Sequence, residues 1–202
     1  IGNTALLIDG AEVSKNGGVG LLLNNFTAPA GATKRQILHS IFRQNALGGI
    51  EVLGGALPVE MSGCTVIDNK IAGLTLIGAQ STTISNSSFS FNKPSPNWGD
   101  GIRIFRSGPV VADNLTVNFN GRAGMSAFGC EGAPTTVTLQ NSSFMKNGFH
   151  LEVGKPEGCS ASSVALSDDG GNSCVPGAGV DGTGCHAVSA SLSPAPPPPL
   201  PG

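Results

Sequence analysis

One short pattern, glycine, apolar, any residue, apolar, recurs six times along this chain. The copies are Gly18-Val19-Gly20-Leu21, Gly49-Ile50-Glu51-Val52, Gly73-Leu74-Thr75-Leu76, Gly101-Ile102-Arg103-Ile104, Gly124-Met125-Ser126-Ala127 and Gly148-Phe149-His150-Leu151. An asparagine precedes each copy, giving the series Asn16, Asn45, Asn69, Asn92, Asn120 and Asn147. Successive glycines stand 23 to 31 residues apart. A period of that length describes a stack of similar units, each packed on its neighbours, rather than one globular core assembled from unlike elements.

Counting back from each Asn defines the unit. Three residues before it stand Val13, Phe42, Val66, Phe89, Val117 and Phe144; five before it, Ala11, Ser40, Cys64, Ser87, Leu115 and Ser142; eight before it, Ile8, Ile37, Met61, Ile84, Ala112 and Leu139. These positions are expected to point inward. Alternation over short runs is the mark of strands with one buried face, and the 3.6-residue periodicity of an α-solenoid is missing. Between the positions eight and five before the Asn, two consecutive residues face outward, as at Ser85-Asn86, Asp113-Asn114 and Gln140-Asn141, so the chain must bend there.

A coil of strand, bend, strand, turn and strand, repeated every two dozen residues with glycine-apolar-x-apolar after an Asn turn, resembles the right-handed parallel β-helix family. The resemblance covers about residues 5–170. It implies an all-β solenoid of about six coils with three short strands each, the domains being 1–170 for the β-helix, 171–192 for a Gly- and Cys-rich cap and 193–202 for a Pro-rich tail. Equivalent residues on successive coils would lie about 4.8 Å apart, which makes the six asparagines a side-chain ladder inside the turn.

Composition narrows the partners. Charged residues make up only 12% of the chain and the formal net charge is −2. The 11 Lys and Arg form no cluster, which argues against nucleic acid as a partner. No apolar run approaches the roughly 18 residues that span a bilayer, and the opening at Ile1, with neither Met nor leader pattern, leads to the expectation of a processed or partial product.

Three features point to an extracellular setting. Cys130 and Cys159 fall in the loop after the glycine strand on successive coils, where the coil spacing suits a disulfide, and Cys174 and Cys185 would close a short Gly-rich loop. Cys64 is left at an inward position as a small buried hydrophobe. A zinc site would compete for the last four cysteines, but they contain no C-x-x-C pair, so neither metal nor cofactor is expected. Next come four N-x-S/T sequons, at Asn25, Asn86, Asn114 and Asn141, the last three at one repeat position on the outward bend. Such matches also arise by chance. The tail, Ser193-Pro194-Ala195-Pro196-Pro197-Pro198-Pro199-Leu200-Pro201-Gly202, must be extended polyproline II. It is similar to the hydroxyproline-rich extracellular glycoproteins of algae and plants, and a plain linker is the alternative.

Many proteins of the β-helix family are polysaccharide lyases or hydrolases, which the resemblance carries over as the location to inspect: the outward residues of the glycine strand. Read from the motif these are Gly20, Glu51, Thr75, Arg103, Ser126 and His150. That row holds one carboxylate, whereas glycoside hydrolysis needs a facing pair and a pectate-lyase-like site needs clustered Asp for calcium. No catalytic residue is therefore expected. Trp98, the only Trp, lies in an insertion overhanging Arg103 and Arg106, a possible saccharide platform. The leading expectation is a secreted, glycosylated structural module of a fibre, wall or matrix that associates with itself or other matrix glycoproteins. The alternative is a polysaccharide-binding or degenerate carbohydrate-active domain using the face around Trp98 and Arg103.

Overall fold

The computed structural model describes residues 4–24, 30–93, 99–155 and 158–175. The first coil contributes β1 (Thr4–Asp9), β2 (Glu12–Ser14) and β3 (Leu21–Asn24), and the second β4 (Lys34–Leu38), β5 (Ile41–Arg43) and β6 (Ile50–Leu53). The third supplies β7 (Val59–Ser62), β8 (Thr65–Ile67) and β9 (Ala72–Ile77), and the fourth β10 (Thr82–Ser85), β11 (Ser88–Ser90) and β12 (Asp100–Phe105). The fifth supplies β13 (Val110–Asp113), β14 (Thr116–Asn118) and β15 (Ala123–Phe128), and the sixth β16 (Thr135–Gln140), β17 (Ser143–Met145) and β18 (Phe149–Gly154). A seventh begins with β19 (Val164–Asp168) and β20 (Ser173–Val175). Every third strand joins the same sheet, so two sheets of seven strands and one of six, all parallel, wrap a single core. This is a parallel β-helix. Ser173–Val175 lies within the segment assigned above to the cap, and it pairs in register with Ser143–Met145.

The core is a set of columns. In the second sheet Val13, Phe42, Val66, Phe89, Val117, Phe144 and Cys174 stack in register. The three Phe are fully buried. Each coil with a Phe carries a Ser two residues earlier (Ser40, Ser87, Ser142), and each coil with a Val carries Ala11, Cys64 or Leu115 there. From the second coil to the sixth, Phe is thus matched by the small Ser and Val by the larger Cys64 or Leu115, which evens the layer volume and keeps the packing dense. The buried Ser hydroxyls also serve the bend: Ser87 Oγ accepts from the Cys64 amide at 3.1 Å and donates to the Ser85 carbonyl at 2.7 Å.

The recurring glycine has a steric cause. A Cβ at Gly49, Gly73, Gly101 or Gly124 would lie 2.5–2.7 Å from a carbonyl oxygen of the next coil and 2.8–2.9 Å from the Nδ2 of a ladder asparagine. Only glycine lets the two backbones approach so closely. The asparagines run beside it. Their Nδ2-to-Oδ1 distances are 2.9 Å for Asn16 to Asn45, 2.9 Å for Asn45 to Asn69, 3.3 Å for Asn69 to Asn92, 2.8 Å for Asn92 to Asn120 and 2.9 Å for Asn120 to Asn147. Each acceptor oxygen also takes the backbone N–H of the preceding ladder Asn, as at Asn69 to Asn92 (3.1 Å). Buried amides so placed are satisfied without water.

One departure from patterning is Arg35, fully buried on β4 in register with Leu6 and Val59. Its Nη2 donates to the Leu57 carbonyl at 2.7 Å, and burial holds the guanidinium below its ordinary pKa. It fits because Gly55, at φ +105°, leaves room: a Cβ there would sit 2.6 Å from Nη2.

Candidate functional site

The outward row of the third sheet differs at both ends from the motif reading. Strand register aligns Leu22, Glu51, Thr75, Arg103, Ser126 and Glu152. Gly20 belongs to the glycine column instead, with Gly49 O 2.6 Å from its ideal Cβ, and His150 continues that column on the sixth coil, where it is buried. The pattern is ambiguous at these ends because two frames overlap, Gly18-Val19-Gly20-Leu21 with Gly20-Leu21-Leu22-Leu23. Interstrand bonding selects the second: Leu21 N donates to Gly49 O at 3.0 Å. The row therefore carries two carboxylates, Glu51 and Glu152.

Around it lies a network that the motif did not expose. Asp100 precedes the glycine of the fourth coil in a slot that Ala72 fills on the third. Its side chain has no exposed surface. It accepts from Arg122 Nη2 at 2.6 Å, from Ser126 Oγ at 3.0 Å and from the Ala123 amide at 3.2 Å, with Arg103 Nε 3.4 Å away. Arg122 Nη1 bonds Glu152. The chain Arg103–Asp100–Arg122–Glu152 thus ties coils four to six together across one face. Burial lowers the Arg103 guanidinium below its ordinary pKa, with the Asp100 charge opposing. At Arg122 burial also pulls downward, but the hydrogen bond and charge of Asp100, joined by Glu152, carry it above its ordinary value. An aspartate among small residues just ahead of the glycine was the available signal in the sequence.

Beside the network is a cleft of about 350 Å³. Glu51, Thr75 and Arg103 line it from three successive coils, with Ile77 and Phe105 at one side and Val19, Leu47 and Ile71 at the other. Arg103 Cζ stands 5.1 Å from the Phe105 ring centroid, and Phe105 stacks on Phe128 with centroids 5.1 Å apart. The volume is that of a small-ligand site, with apolar walls and a few polar groups converging on them. Asp100 and Glu152 are both bonded to Arg122, leaving Glu51 as the lining carboxylate.

The other residues singled out from the sequence fall elsewhere. Arg106 is exposed at the corner after β12, 3.8 Å from Cys159 Sγ and outside the cleft lining. Trp98, Asn25 and Cys185 lie outside the described residues. Cys130 and Cys159 are joined, with Cα atoms 5.7 Å apart, and Cys174 is disulfide-bonded. Cys64 is buried, and burial pushes its thiol pKa up. Asp168 closes β19 and Asp169 follows it at the bend; Asp168 Oδ1 accepts from Gly170 N at 2.8 Å and Asn172 Nδ2 at 2.6 Å. Among the described residues no group of three or more His, Cys, Asp or Glu is placed to hold a metal ion, and no helix is long and apolar enough to cross a membrane.

The chain folds as a right-handed parallel β-helix. A family model described as a right-handed β-helix region matches residues 2–89, and the three-sheet coil continues from there to residue 175. Among solved structures, the periplasmic alginate epimerase AlgG superposes with a TM-score of 0.67 at 14% identity, over 84% of this chain and 39% of that one. Pectate lyase Pel9A superposes with a TM-score of 0.61 at 18% identity, over 82% of this chain and 48% of that one. The chain thus spans less than half the length of either neighbour. Both are carbohydrate-active β-helix proteins, and at these identities the likeness is one of fold. No curated protein sequence matches significantly.

Proposed function

We propose that this chain is a carbohydrate-binding β-helix domain whose ligand occupies the cleft on the outer face of the third sheet. The observation that carries the reading is Arg103, held by Asp100 and lying over Phe105 at the rim of an apolar cleft. Sugar rings present C–H faces suited to Phe105 and Ile77, and hydroxyls suited to Glu51 and Thr75. A uronate carboxylate would take the Arg103 guanidinium. The names of the two neighbours, which refer to alginate and pectate, support an acidic polysaccharide as the class. Binding rather than hydrolysis fits the carboxylates, since a hydrolase needs one free acid and one free base, and Arg122 engages both Asp100 and Glu152. An extracellular or periplasmic setting accords with the Cys130–Cys159 disulfide.

Calorimetric titration with alginate and pectate oligosaccharides tests this. Arg103→Ala should weaken binding by about 10- to 100-fold, the worth of a hydrogen bond to a charged group. Absence of binding to either oligosaccharide, or unchanged affinity in Arg103→Ala, would refute it. Trp98→Ala measures any contribution from the insertion. A second reading, the structural module of a fibre or matrix, draws on the exposed row of Asn86, Asn114 and Asn141 along one edge. Electron microscopy at near-physiological salt tests it, regular filaments supporting and dispersed monomers opposing it.

A further inference from the structure

The bend between the first and second sheets is a built column of acceptors for asparagine-linked glycans, and we infer that Asn86, Asn114 and Asn141 are modified there. This site is separate from the cleft. Each of the first six coils turns this corner on one residue in the left-handed region: Gly10, His39, Gly63, Asn86, Asn114 and Asn141, at φ from 45° to 65°. Left-handed backbone by itself accounts for an Asn, since Asn tolerates these angles.

It does not account for the residue two further on. That position opens the second-sheet strand, where Glu12, Ile41, Thr65, Ser88, Thr116, Ser143 and Ser173 stack in register, so the fold accepts a charged or an apolar side chain there and demands no hydroxyl. On the three coils whose bend residue is Asn it is Ser88, Thr116 and Ser143, stacked in register. Thr65 and Ser173 carry a hydroxyl two residues behind Gly63 and Gly171, which have no side-chain amide, whereas all three Asn bends are followed by one, which completes the acceptor pattern on three successive coils.

The geometry also leaves room for the bond. All three Asn side chains are exposed. Asn114 Nδ2 donates one hydrogen to Asn86 Oδ1 at 2.8 Å, and Asn141 Nδ2 donates one to Asp113 Oδ1 at 3.0 Å. An amide nitrogen has two hydrogens, so the second is available for replacement without breaking this row. In the transfer, Nδ2 attacks the anomeric carbon of a polyprenyl-pyrophosphate-linked oligosaccharide. The N–C bond forms, the carbon–oxygen bond to pyrophosphate breaks with the electron pair leaving on oxygen, and one amide proton passes to solvent. Glycans on successive coils would emerge about 4.8 Å apart. They would form a hydrophilic rib on the corner that does not touch the third sheet, leaving the cleft face clear.

Peptide mass spectrometry of the protein secreted by its own cells, before and after peptide-N-glycosidase in ¹⁸O water, decides it. The expected result is glycan on all three peptides, each converted to ¹⁸O-labelled Asp on release. Thr116→Val retains Asn114 and its hydrogen bond but removes the acceptor pattern, and should lose one glycan mass with the fold unchanged by circular dichroism. Asn114→Gly, which restores the residue type of Gly63, should lose the same mass. Unmodified peptides at all three sites, or sugar persisting on Asn114 in Thr116→Val, would overturn the inference.

Discussion

Asn69→Ala puts the asparagine ladder to the sharpest test. Asn69 has no exposed surface. Its Oδ1 accepts the Asn45 backbone N–H at 3.1 Å and Asn45 Nδ2 at 2.9 Å, and its Nδ2 donates to the Phe42 carbonyl at 3.2 Å and to Asn92 Oδ1 at 3.3 Å. Alanine orphans two buried donors on Asn45, one main-chain and one amide, while Asn92 Oδ1 keeps the Asn69 main-chain N–H. At about 1–3 kcal/mol per orphaned buried group, the loss should be about 2–6 kcal/mol. That is a large part of the roughly 5–15 kcal/mol that holds a domain folded. Asn16→Ala is the control, because Asn16 is exposed and its loss removes only the Nδ2 donor to Asn45 Oδ1, which keeps the main-chain N–H of residue 16. Its cost should be about 0.5–1.5 kcal/mol. Urea denaturation followed by far-UV circular dichroism measures both. A cost below about 1 kcal/mol for Asn69→Ala, or equal costs for the two variants, would refute the ladder as a stabilising element.

Three further outcomes follow from the same structure. Gly101→Ala places a Cβ 2.6 Å from Gly124 O and 2.8 Å from both Asn120 Nδ2 and Val117 Cγ1, and should destabilise by about 1–3 kcal/mol as overpacking does, whereas Gly17→Ala, with nothing within 4 Å, should be near neutral in the same melts. Cys64 should resist a thiol reagent until denaturant is added. Because burial raises its pKa, the folded state holds the proton more tightly than the unfolded chain; its contribution is fully present below the ordinary value of 9.0 and is lost as pH rises above it, which a pH series of Cys64→Ala against the parent will show. Replacing Cys130 and Cys159 together by Ser opens a link spanning 29 residues and should cost about 3–4 kcal/mol on the chain-entropy model, read from the shift in urea midpoint.

Much of the fold was legible because a β-helix repeats its packing problem in every coil. Val13, Phe42, Val66, Phe89, Val117 and Phe144 meet the same neighbours at the same angle, so a spacing counted from Asn identifies the inward face without knowledge of the rest. The candidate site was less legible. Arg103 could be placed on the outer face from the motif alone, but Asp100, Arg122 and Glu152 come from three different coils and share no motif position. They meet because stacking brings residues 22 and 30 positions apart in sequence within bonding distance.

The sequence by itself determined the architecture: a strand period, an Asn turn and a glycine where two backbones touch, all properties of one coil and its nearest neighbour. Only the tertiary structure decided the register of the end coils and, with it, the composition of the outer face. Gly18 and Gly20, or His150 and Glu152, satisfy the local alternation equally well, because strand side chains repeat every two residues. The choice between frames rests on main-chain bonds to the adjacent coil, such as Leu21 N to Gly49 O, and those exist only once the coils are stacked.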